Sequence, residues 1–177
     1  DEIGGHPPAA ILNKLGSCYL AFLAAALDYD RGRFRNFMSH GRQWLEEVGS
    51  EDSHARALWA AGSGAGRSRN EGHRRLAAQL FERALPAVAS FTSPRAWSIA
   101  LIGIHEYLRH FPGKPDIDAM RATLTGKLLK LWRSCASTDW PWFESSVTYD
   151  NARICQALVL SGQWMPNPEA LKIGLKS

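Results

Sequence analysis

The sequence predicts an all-α protein built from consecutive helical hairpins, and three observations predict it. Alanine and leucine are abundant while valine, isoleucine and threonine are sparse, a balance that favours helix over sheet. Apolar residues recur at the three- and four-residue spacing of a helix face. Capping residues and Pro-N1 signals recur along the chain, and no two segments alternate as a strand pair would.

Residues 1–7 read as an irregular lead-in. A first helix starts near Pro7 or Pro8 and runs to about Leu27, with Ile11, Leu12, Leu15, Tyr19, Phe22, Leu23 and Leu27 at helical spacing. Its apolar run, Leu15 to Leu27, is about half a membrane span and reads as a core helix. Gly32 opens a long connection in which Phe34, Phe37 and Met38 alternate loosely with polar residues, as a short extended piece would. A second helix begins around Ser50 to Asp52, with Ser50 as cap and two acids in the first turn, and Gly62, Gly64 and Gly66 are expected to end it. Asn70 caps a third helix with Leu76, Leu80, Phe81, Leu85 and Val88 on its apolar face. Ser93-Pro94 supplies cap and N1 for a fourth, ending near His110 before Pro112-Gly113. Pro115 and Asp116 open a fifth that reaches about Cys135, Thr148 a sixth, and Asn167-Pro168-Glu169 a seventh that is unfinished at Ser177. Starts near 51, 93 and 148 alternate with starts near 70, 115 and 168, a repeat of roughly 40–55 residues against about 34 for tetratricopeptide units. A HEAT-like scaffold fits that length, but an α/α toroid of the six-hairpin type also accounts for the echo described below.

Composition narrows the function classes. The formal charge is +4, yet basic residues are interleaved with acids, and the densest basic stretch, Arg67 to Arg75, also carries Glu71. A solvated helix start explains it, and no nucleic-acid partner is expected. Three cysteines, Cys18, Cys135 and Cys155, form no disulfide pattern and suit a reducing, cytoplasmic setting. Asp1 and Glu2 are unlike a basic signal n-region, and no membrane partner is expected. Six scattered histidines without HExxH spacing, and glycines without GxxxxGK[ST] or GxSxG, leave no metal and no cofactor expected.

An internal echo points to a site. Ser50-Glu51-Asp52-Ser53-His54-Ala55-Arg56 and Thr148-Tyr149-Asp150-Asn151-Ala152-Arg153 each place a hydroxyl cap, then a first-turn acid, then Ala-Arg, and Ser93-Pro94-Arg95 opens the helix between them. Taken singly, first-turn acids are explained by the helix dipole, and an Arg one turn later by pairing with the acid. Their recurrence in one alternate helix set gives the functional reading. Asp139-Trp140-Pro141-Trp142-Phe143-Glu144 adds aromatic faces, which suit sugar CH faces, beside carboxylates, which suit sugar hydroxyls. The same segment also reads as a plug for a hairpin junction. Phe34 to Trp44 supplies a second aromatic set. Asp52, Glu144 and Asp150 are the candidate catalytic carboxyls. Glycoside hydrolysis needs two, about 5–5.5 Å apart for retention or roughly 6.5–9.5 Å for inversion. Trp44, Glu51, His54, Arg95, Trp142, Tyr149 and Arg153 are the candidate substrate contacts, gathered with the acids at one rim.

Arg35 to Ser39, Trp44 to His54, and Asp139 to Arg153, the last running from Asp139-Trp140-Pro141-Trp142 through Tyr149-Asp150-Asn151, resemble a bacterial family of helical domains. That family is labelled glycosyltransferase because related segments accompany group 1 glycosyltransferase modules. The similarity covers about residues 33–177 and fits residues 1–32 poorly. It implies a fold like the six-hairpin toroid of glycosidases such as unsaturated glucuronyl hydrolases, and a carbohydrate context without a mechanism. No Rossmann-like nucleotide-sugar domain is present, so this chain alone is no group 1 glycosyltransferase. Family members run on past Ser177, and seven helices are just over half of twelve. The chain is therefore expected to be one helical domain that is a fragment of a longer toroid. The partners expected are a saccharide and either a glycosyltransferase module or a second copy at an open helical edge. The alternative is a non-catalytic helical module that binds sugar or such a partner.

Overall fold

A computed structural model describes residues 9–177, and the expected start of the first helix at Pro7 or Pro8 lies outside the described residues. The chain is all-α. Among the described residues it forms α1 (Ala9–Ala26), α2 (Glu51–Arg67), α3 (Glu71–Ala84), α4 (Pro94–Leu108), α5 (Pro115–Cys135), α6 (Ala152–Trp164) and α7 (Pro168–Lys176), with a 3-10 turn at Leu85–Ser90. Strands β1 (Leu27–Asp28) and β2 (Arg33–Phe34) make a two-residue antiparallel pair, and a bridge joins Met38 to Trp44. The extended piece expected near Phe34 is thus part of a minimal hairpin turning on Gly32, whose φ is +64°. None of these helices is long and apolar enough to cross a membrane.

Four helix starts follow from local chemistry. Ser50, Asn70, Ser93 and Asn167 each accept a bond from the backbone N–H three residues on, at 3.1, 3.1, 3.4 and 3.1 Å, satisfying an orphan donor of the first turn. Two expectations are corrected. The helix that begins at Glu51 does not stop at Gly62 but continues to Arg67, because Gly62 and Gly66 are where it crosses α4. A Cβ on Gly62 would collide with the carbonyl of Gly103, and one on Gly66 with that of Glu106. The sixth helix begins at Ala152 rather than Thr148. Asp150 takes a left-handed φ of +53°, and Asn151 turns its side chain back to the Thr148 N–H and carbonyl.

Helices α2, α4 and α6 lie side by side and run parallel. Glu51 and Gly66 at the two ends of α2 face Ser93 and Glu106 of α4, and Arg95 and His105 of α4 face Asn151 and Trp164. The odd-numbered helices return in the opposite direction. His54 near the start of α2 meets Ala84 at the end of α3, and Gly162 and Gly174 fit α7 tightly against α6. The core lies between these layers. Leu58, Leu80, Phe81, Ile99, Tyr107 and Leu124 are fully buried, each worth roughly 1.5–3 kcal/mol of transfer free energy, and Phe81 stacks on Tyr107 at 4.6 Å. The first helix departs from its expected role as a core helix: Leu20 and Ala26 are buried, but Leu12, Leu15, Tyr19 and Phe22 stay exposed.

Candidate functional site

The parallel run of α2, α4 and α6 puts their N-terminal ends at one end of the molecule, together with the loop 136–151. Four of the expected residues converge there around one that the sequence had suggested only as a pairing partner, Arg56. Its Nε donates to Asp52 Oδ2 at 2.8 Å, and its Nη2 to Asp52 Oδ1 at 3.4 Å and Asp150 Oδ2 at 2.8 Å. Two carboxylate oxygens on one nitrogen at those distances stand no more than about 6 Å apart. The Tyr149 hydroxyl donates to Asp52 Oδ1 at 3.2 Å, and burial, followed by the charge of Asp52, pushes its pKa up. Arg153 reaches Asp150 at 3.4 Å while its guanidinium lies 4.6 Å from the centre of the Trp59 ring. The carboxylates of Asp52 and Asp150 keep 31% and 21% of their side-chain surface, so both are open to a ligand.

Arg95 sits beneath this cluster, 5% exposed. Its Nε donates to the Tyr149 carbonyl at 2.6 Å, Nη2 to Asn151 Oδ1 at 2.8 Å, and Nη1 lies 2.8 Å from Glu144 Oε2, with the guanidinium 5.1 Å from the Tyr149 ring centre. Arg95 and Glu144 therefore hold the loop in place rather than facing out side by side. Glu51 is similarly used: it accepts from the backbone N–H groups of Thr92 and Ser93, at 2.8 Å for Ser93, and ties the start of α2 to the cap of α4. Beside the cluster a depression of about 230 Å³ is lined by Phe22, Phe34, Arg35, Asn36, Ser53 and Arg56.

Three further expected contacts are corrected. His54 is fully buried, with Nδ1 accepting from the Phe34 N–H at 3.2 Å and Nε2 3.1 Å from the Ala84 carbonyl, so it presents no edge to a ligand. Burial, then the charge of Arg33, lowers its pKa to about 4. Trp142 is 9% exposed and packs edge-on to Phe143 in the core, so it is no wall of the site. Its neighbour Trp140 is 40% exposed and donates to the Glu144 carbonyl at 2.7 Å within the loop. Trp44 packs on Phe22 at 5.9 Å, on the α1 side of the depression, and is not among the residues that line it. Among the described residues no three His, Cys, Asp or Glu side chains gather as metal ligands would. Comparison with protein-family models, curated proteins and solved structures finds no match.

Proposed function

We propose that this chain is a segment of an α/α toroid that binds saccharide at the end where α2, α4 and α6 begin. The observation that carries the reading is the Asp52–Arg56–Asp150 bridge under the Tyr149 hydroxyl. It gathers two carboxylates, a guanidinium, a phenol and the nearby faces of Tyr149 and Trp59, the mixed acceptor, donor and aromatic surface that sugar hydroxyls and CH faces require. Three parallel helices with their starts at one rim are what part of a toroid's inner ring would supply. Both carboxylates are already engaged as acceptors, which suits recognition better than proton donation. The family resemblance adds the carbohydrate context and a glycosyltransferase module as the partner to look for. A glycan array followed by calorimetry on the best oligosaccharide tests the reading. Asp150→Asn, which tolerates the left-handed backbone, is expected to weaken that binding about tenfold, in line with ~1.5 kcal/mol for a bond to a charged group. Its circular dichroism and melting temperature are expected to stay those of the wild type. Absence of any oligosaccharide binding, or equal affinity in the variant, sinks it.

A second reading, glycoside hydrolysis, rests on the Asp52–Asp150 separation, whose ceiling of about 6 Å admits the ~5–5.5 Å of retaining glycosidases and falls short of the roughly 6.5–9.5 Å of inverting ones. It predicts release of reducing sugar from the bound oligosaccharide and loss of that release in Asp52→Asn. Binding without turnover leaves recognition as the function.

A further inference from the structure

We propose that α1 is a self-association helix, through which the chain pairs with a second copy of itself about a two-fold axis. Leu12, Leu15, Tyr19 and Phe22 follow the three-four-three spacing of a coiled-coil seam, and with Ile11 they span an arc of about 100° on the helix surface. Their exposures are 51%, 43%, 66% and 48%, and that of Ile11 is 50%. A seam-spaced stripe of large apolar side chains facing water is the reverse of what an outer helix normally presents. The stripe continues into a groove of about 860 Å³ between α1 and α2, with Leu23 and Ala60 among its lining residues.

A second copy fits this face for two reasons. Lys14 is the one charged residue on α1, so two copies of the stripe meet without like charges opposed, while Arg67 and Arg69 stand on the α2 side of the groove. The five side chains expose roughly 500 Å² per copy, the greater part of the ~800 Å² per partner of a stable interface. The proposal does not depend on the saccharide reading, because Leu15 and Tyr19 take no part in the Arg56 cluster.

Sedimentation equilibrium on the chain at micromolar concentration tests it. The expected mass is twice the 19.6 kDa of one chain. Leu15→Glu combined with Tyr19→Glu is expected to halve that mass, with an unchanged far-ultraviolet circular dichroism spectrum, since both positions face water. Leu15→Met is expected to stay dimeric. A wild-type chain that sediments as a monomer or as an open-ended series of larger species overturns the proposal. So does a dimer that survives the double substitution.

Discussion

His54 lies between Phe34 and Phe91, with ring centres 5.3 and 5.2 Å away, and both its nitrogens are committed to backbone groups. The unfolded chain protonates it near 6.5, the folded chain only near 4. Acid therefore favours unfolding between those values. Stability falls as the pH drops from 6.5 toward 4 and levels off below, with a full cost of about 3 kcal/mol. His54→Gln keeps one acceptor and one donor without a titratable group. Urea titrations at pH 7 and pH 5 are expected to show the wild type losing stability and the variant losing much less, the remainder coming from His105, whose pKa burial also lowers. Equal losses would show that His54 does not set the slope. In the sequence this histidine looked like a first-turn neighbour of Asp52. Nothing within a few residues of it reveals Phe34, Ala84 and Phe91, which arrive from three other segments. Arg56 is the reverse case: its i, i+4 pairing with Asp52 was legible, but the second carboxylate on it comes from Asp150, 94 residues away.

At the scale of the helix, local chemistry was readable and close approach was not. Ser50, Asn70, Ser93 and Asn167 cap helices through bonds spanning three residues, so the sequence holds all of the information needed. The Gly62-to-Gly66 run carries the same residue type as a helix stop, and its real role appears only once α4 lies against it. That contrast gives a paired prediction. Propensity alone says that any mid-helix Gly→Ala gains about 1 kcal/mol. Gly126 in α5 has nothing within 4 Å of where a Cβ would stand, so Gly126→Ala is expected to stabilise by about 0.5–1 kcal/mol. Gly66→Ala is expected to destabilise by about 3 kcal/mol, because its methyl would enter the backbone of α4 at Glu106, where neither helix can yield alone. Denaturant midpoints of the two variants moving in the same direction would mean that the α2–α4 crossing is looser than this.

Across the whole molecule, the layer of α2, α4 and α6 is fixed at both ends by charged groups. At one end Arg67 forms a two-pronged pair with Glu106. At the other, Glu51 holds the cap of α4 and Arg95 holds the loop 136–151. These two ends differ in what they secure. Arg67–Glu106 joins helices already locked by the glycine crossing, whereas the loop reaches α4 chiefly through Arg95, beside Phe143 in the core. Arg95→Met fills much of the same space but takes the guanidinium donors from the Glu144 carboxylate and the Tyr149 carbonyl, and leaves Asn151 Oδ1 only its bond from the Thr148 N–H. Glu144 is 28% exposed and can regain water if the loop lifts, so the expected cost is about 2–3 kcal/mol, below the ~3–5 kcal/mol of a sealed pair. The loss is expected to be local. Hydrogen exchange in residues 137–151 should accelerate sharply while α2, α3 and α5 keep their protection. The Tyr149–Asp52 bond should be lost with the loop, and with it any saccharide affinity that depends on both. Acceleration spread evenly over every helix would instead make Arg95 a part of the global core, and unchanged protection in the loop would mean that Phe143 and Trp142 hold it unaided.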